Sequence, residues 1–260
     1  MLKNIYSPLS GAIGQEKIIE IISNNLANTN TTGFKEESVS FEAQDPNPWP
    51  NYPSALPPAP FKSNMQDLYP LRGNEMEYMS IAKIETDFRQ GALQVNNDPL
   101  SIAIEGEGFM EVQTPFGVRY TRDGALSINA DGFLTTKGGD LIQGQLGALS
   151  GLSADNMKIL PSGEVFEGDK FIGQLKTVKF SNHNNLQKIG DNLFIHNGDT
   201  SELEKFTGRI LQGSLESSNV NPMKNLTNLI LAHRSYEAMQ KSLKAHDDAL
   251  KTVQEKVGQS

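Results

Sequence analysis

The sequence predicts an α+β chain: a central all-β domain with N- and C-terminal helices that pack as a coiled-coil-like pair. Three observations carry this. Apolar residues recur at helical spacing near the N-terminus, and a heptad pattern runs down the C-terminal end. Between them, short β-forming runs alternate with Gly, Asn and Asp turns.

The first helix is predicted over Ile5–Leu26, where Ile5, Leu9, Ala12, Ile19, Ile22 and Leu26 mark one apolar face. Ser7 and Pro8 suit an N-cap and a first helical position. Gly11 and Gly14 each weaken the helix by about 1 kcal/mol relative to Ala. The run NTNTTG, Asn28 to Gly33, is a stop and a turn. Asn24, Asn25 and Asn28 are expected to satisfy backbone groups there, and Gly33 to take positive φ.

An extended connector is expected over 31–87, after an N-terminal arm of 1–30. Residues 45–60 hold seven of the 13 prolines and the single tryptophan, Trp49. Such a segment favours polyproline geometry and reads as a semi-rigid linker, or as a docking motif for a proline-reading domain.

The β-rich domain is expected over 88–212. Its runs are Ser101–Ile104, Phe109–Gln113, Val118–Arg122, Leu126–Asn129 and Phe171–Phe180. The pairs Asp123-Gly124 and Asp131-Gly132 are hairpin signals, because type I′ turns need positive φ at both central residues. They predict a meander. Gly106-Glu107-Gly108 lacks a third glycine and a following helix, so it reads as a close-approach turn rather than a nucleotide fingerprint.

The C-terminal arm is expected over 213–260. Leu229, Tyr236, Leu243, Leu250 and Val257 fall seven apart, and Ala232, Met239, His246 and Val253 form a second row. These are a and d rows. Asn221-Pro222 starts the helix and Gly258 ends it, giving about 36 residues and about 54 Å. Ile19, Ile22 and Leu26 are expected to face Leu229, Tyr236, Leu243 and Leu250 across an assembly seam. The N-terminal helix is shorter, so part of the seam is left for other chains. Isolated short helices are marginal in water, so the arms are expected to order on docking.

Composition narrows function. The net charge is −8 and the pI about 5.1, so a general basic surface for nucleic acid is absent. With zero cysteines, disulfides, thiolate metal sites and cysteine nucleophiles are excluded. His183, His196, His233 and His246 show no ligand spacing. No catalytic, cofactor-binding or metal-binding residue is expected, and no cofactor. No apolar run is long enough to span a bilayer, and Glu16 and Lys17 break any signal-peptide core. The chain is expected to be cytoplasmic or exported without a cleaved signal.

Four stretches carry a resemblance. SNNLANTNTTGFK (23–35, ending in Phe34 and Lys35) resembles the N-terminal signature of the flagellar rod and hook family of axial proteins. FRQGALQVNNDPLSIAIEGEGF (88–109) and YTRDGALSINADGFLTTKGGDLIQG (120–144) resemble that family's β domain. GSLESSNV (213–220) with RSYEA (234–238) resembles its C-terminal signature. The opening IYSPLSGAIGQ is closer to proximal than to distal rod members.

The resemblance implies a structural subunit of the bacterial flagellar basal-body rod, the periplasmic drive shaft that carries torque to the hook. Its implied partners are copies of itself, other rod subunits and the flagellar type III export apparatus. Nucleic acid and membrane insertion are not among them. A distal rod or other hook–basal-body axial protein is the near alternative. A soluble β-domain enzyme or carbohydrate-binding module with helical oligomerisation arms is the distant one.

Overall fold

A computed structural model describes residues 3–44, 78–154, 156–198 and 202–258. The proline-rich 45–60 segment and Trp49 lie outside them. The chain is mostly β, with one long helix near each end. It divides into two compact units, one drawn from 1–21, 39–84 and 227–260, the other from 22–38 and 85–226.

The first unit holds most of both helices. Helix α1 spans Lys3–Ala27. It starts a turn earlier than the Ser7-Pro8 cap predicted, so Pro8 lies inside the helix. Proline has no N–H for the carbonyl four residues back, and its backbone bond is forfeited there. Helix α2 spans Pro222–Gly258, 37 residues, as the caps require. The Asn221 Oδ1 accepts a hydrogen bond from the Lys224 N–H at 3.1 Å. Both arms are helical in the single chain. At Gly11 a Cβ atom would sit 3.1 Å from the Met239 sulfur, so the missing side chain lets α1 and α2 pack closely there. Strands β1 (Glu37–Gln44) and β2 (Tyr78–Thr86) form a two-stranded ladder where the connector was expected to be only extended.

The second unit is the β domain. At the centre of its ten-stranded sheet lies β5 (Phe109–Thr114). One edge of β5 pairs with β6 (Gly117–Thr121), and β16 (Leu193–His196) and β15 (Leu186–Gly190) follow beyond. Its other edge is shared: β14 (Thr177–Phe180) pairs with its start and β9 (Leu141–Gly144) with its end. Two apolar clusters fill the domain. One gathers Ile102, Met110, Leu134, Ile142 and Val165. The other is aromatic, with Phe109, Phe180 and Phe194 in edge-on or tilted contacts.

The sheet is not a simple meander. The expected single run Phe171–Phe180 breaks into β13 (Lys170–Gln174) and β14. Asp123-Gly124 makes no hairpin, because β6 and β7 (Leu126–Ile128) are not neighbours. Gly124 is required for another reason: a Cβ there would lie 1.6 Å from the Ile102 carbonyl oxygen. Asp131-Gly132 sits in a longer loop between β7 and β8 (Leu134–Thr136), closed by the Asn129 side chain. The turn with two positive φ angles is Asp191-Asn192 instead, at 48° and 56°, joining β15 to β16.

Residues expected to begin the C-terminal arm belong to this unit. Strand β19 (Ser214–Glu216) pairs with β3 (Leu93–Val95), and β18 (Arg209–Gln212) with β4 (Ile102–Glu105).

Candidate functional site

The signature turn after α1 is seated on the β domain residue by residue. Gly33 has φ +67, and its N–H donates to the Glu216 carbonyl at 2.8 Å. A Cβ at Gly33 would lie 2.6 Å from the Arg122 backbone carbon. Only glycine fits both the angle and the approach. The Thr32 hydroxyl meets the Asp123 carboxylate at 2.6 Å. The Asn192 amide, at the tip of the β15–β16 hairpin, donates to the Thr32 carbonyl at 2.8 Å. Phe34 is buried, with the Lys188 ammonium 3.5 Å from its ring centroid.

The asparagines divide their work. Asn28 reaches back to the Asn24 carbonyl at 2.9 Å, closing the helix end. Asn24 is exposed. Buried Asn25 serves the next strand rather than the helix end. Its side chain donates to the Glu37 carbonyl at 2.7 Å and accepts from the Glu37 N–H at 3.0 Å. Asn219, in the C-terminal signature, makes the matching contacts from the other side. It accepts from the Glu36 N–H at 2.7 Å and donates to the Asp87 carbonyl at 2.8 Å.

Beneath this turn is a buried ionic group that sequence reasoning missed. Lys35 Nζ donates to Glu216 Oε1 at 2.5 Å and to the Arg89 carbonyl at 2.8 Å. Arg122 approaches the other Glu216 oxygen at 3.3 Å and donates to the Gly106 carbonyl at 2.8 Å. The side chains of Lys35 and Glu216 are 0% exposed. Burial pushes the Lys35 and Arg122 pKa values below their usual range, and Glu216 opposes the shift in both. Each of the three residues stands in a stretch singled out as a signature. Nothing in their spacing shows that they meet.

The helices supply the second part of the site. From 223 to 249, the α2 positions that are not exposed are 225, 229, 232, 236, 239 and 243, steps of four and three. Leu229, Tyr236 and Leu243 are therefore half-buried on one face, and Ala232 is buried. The side chain of Leu250 lies outside the described residues. On α1, Ile22 is buried, and Ile19 and Leu26 are half-buried.

A different face of α2 is apolar and open. Met223, Leu226 and Ile230 are 71%, 43% and 48% exposed. At 100° per residue they share a stripe turned well away from the covered face. Leu231 is exposed beside it, and α1 exposes Leu9 and Ile13, one turn apart. The a and d rows do not include this stripe, although its three, four and seven spacing is in the sequence.

Among the described residues no group of His, Asp and Glu is placed to hold a metal ion. No helix among the described residues is long and apolar enough to cross a membrane.

Comparison with known proteins gives consistent matches. Residues 5–35 match a family model described as flagella basal body rod protein. Residues 103–167 match the flagellar hook protein FlgE/F/G D1 domain, and 211–255 the flagellar basal body rod FlgEFG protein C-terminal model. Flagellar basal-body rod protein FlgG of Borreliella burgdorferi is 32% identical, over 96% of this chain and 97% of its own. FlgG of Buchnera aphidicola (Schizaphis graminum) is 31% identical over 97% and 99%. Flagellar basal-body rod protein FlgF of Caulobacter vibrioides is 27% identical over 98% and 97%.

Proposed function

Because the chain belongs to the flagellar basal-body rod protein family, we propose that it is a structural subunit of the rod, in its proximal part, and that it polymerises through its two terminal helices. The observation that carries the assembly mode is the doubly apolar α2. One face carries the covered heptad row, and the other exposes Met223, Leu226 and Ile230. A helix apolar on two faces needs two partners. A coiled-coil-like pairing with α1, whose Gly11 meets Met239, occupies the first face. The arms of neighbouring copies and of other rod subunits occupy the second. A head-to-tail contact that does not close builds a helical tube.

On this reading the protein is mechanical rather than catalytic. It stands in the periplasmic rod, delivered by the flagellar type III export apparatus without a cleaved signal, and binds neither nucleic acid nor membrane. Locating the protein in purified basal bodies tests this. It is expected in the rod fraction, and a strain lacking it is expected not to swim. A protein absent from basal bodies, with motility intact in the deletion strain, overturns the reading.

A further inference from the structure

Glu216 is joined to three segments that are far apart in the chain. Its Oε1 accepts from Lys35 Nζ at 2.5 Å and from the Gly91 N–H at 2.9 Å, and its Oε2 lies 3.3 Å from Arg122 Nη1. Its backbone carbonyl accepts from the Gly33 N–H at 2.8 Å. The residue is 1% exposed, so water cannot replace any of these partners. Lys35 and Glu216 stand 181 positions apart. Lys35 follows the end of α1 and Glu216 precedes the start of α2, so this one carboxylate holds the roots of both arms.

We infer that Glu216 is an ordering latch: the turn that roots the N-terminal arm and the strand that roots the C-terminal arm seat on the β domain only together. The physical reason is the cost of a half-formed site. With 214–216 unplaced, Lys35 and Arg122 share a dry pocket as two like charges with no carboxylate between them. With 31–36 unplaced, the buried Glu216 carboxylate loses its shortest partner, Lys35, and keeps only Arg122 at 3.3 Å and the Gly91 N–H, while its backbone carbonyl loses the Gly33 donor. Each half is unfavourable alone, so the intermediate with one seated root is sparsely populated. A chain that has not yet delivered its last 45 or so residues cannot present a seated N-terminal arm. This deepens the assembly reading and rests on it only for that consequence, because the latch is measured on unassembled chain.

The test is hydrogen exchange by mass spectrometry on the full chain, held dilute enough to remain monomeric, comparing wild type with Glu216→Gln. Exchange is expected to rise about tenfold or more in both 31–37 and 214–220, while strands β5, β6 and β9 keep wild-type protection. A rise confined to 214–220 overturns the latch. If Glu216→Gln unfolds the β core, Glu216→Asp keeps the charge and shortens its reach. The same paired rise is expected. A rise on one side only, or loss of the core again, overturns it. Polymer formation is scored separately by electron microscopy, so failure of the latch and failure of the assembly reading are distinguishable.

Discussion

Lys35 and Glu216 meet at 2.5 Å with both side chains out of contact with water, although 181 residues of chain separate them. Lys35→Met leaves Glu216 with Arg122 at 3.3 Å and the Gly91 N–H at 2.9 Å, so it removes one charged hydrogen bond and leaves no bare charge. The expected loss is about 1–3 kcal/mol, felt where the two roots seat. Amide exchange should speed up at 31–37 and 214–220 while the core strands keep their protection.

Gly33 offers a controlled comparison. Gly139 also has positive φ, at 90°, but a Cβ there meets nothing within 4 Å. Gly139→Ala should cost only the conformational penalty, about 1–2 kcal/mol. Gly33→Ala adds a 2.6 Å clash with the Arg122 backbone and should cost about 3 kcal/mol or more. Thermal unfolding of the two variants in parallel measures the difference.

Asn25 both donates to and accepts from the Glu37 backbone. Asn25→Asp keeps the acceptor and replaces the donor with a charged oxygen facing a carbonyl. The expected loss is about 1–3 kcal/mol at neutral pH. Urea midpoints check it, and faster amide exchange around Glu37 is the local signature.

His183 stacks on Phe88 with 5.0 Å between ring centroids. Its pKa lies below 6.5, chiefly through burial; Glu107 opposes the shift, and Arg122 and Lys179 add to it. The unfolded chain therefore takes up the proton first as pH falls. Above 6.5 both states are neutral at this residue and nothing is lost. Between 6.5 and the lower folded value, stability should decline with falling pH. His183→Asn should flatten that part of the profile, measured as thermal midpoint against pH.

Both helices were legible because their signals are local. Asn221-Pro222, Gly258 and the heptad rows fix α2 without reference to the rest of the chain. The hairpins were less legible. Asp123-Gly124 has the composition of a tight turn, yet tertiary packing uses its glycine for an approach to Ile102, and the turn with two positive φ angles falls at Asp191-Asn192. The Lys35–Glu216–Arg122 group was not legible at all. Ionic partners far apart in sequence leave no periodicity, and lysine, glutamate and arginine read as surface until the fold buries them. The stripe at Met223, Leu226 and Ile230 was present in the spacing but overshadowed by the stronger heptad.

The most direct measurement of the assembly claim uses that stripe. Ile230→Asp places a charge on the open face of α2, away from the covered row, so the monomer should keep its fold. Purified wild-type and variant chains are compared by sedimentation and electron microscopy under conditions where the wild type polymerises. The expected result is a variant with wild-type circular dichroism that stays in the supernatant and forms no filaments. Filaments of wild-type length and yield from the Ile230→Asp chain would contradict the account.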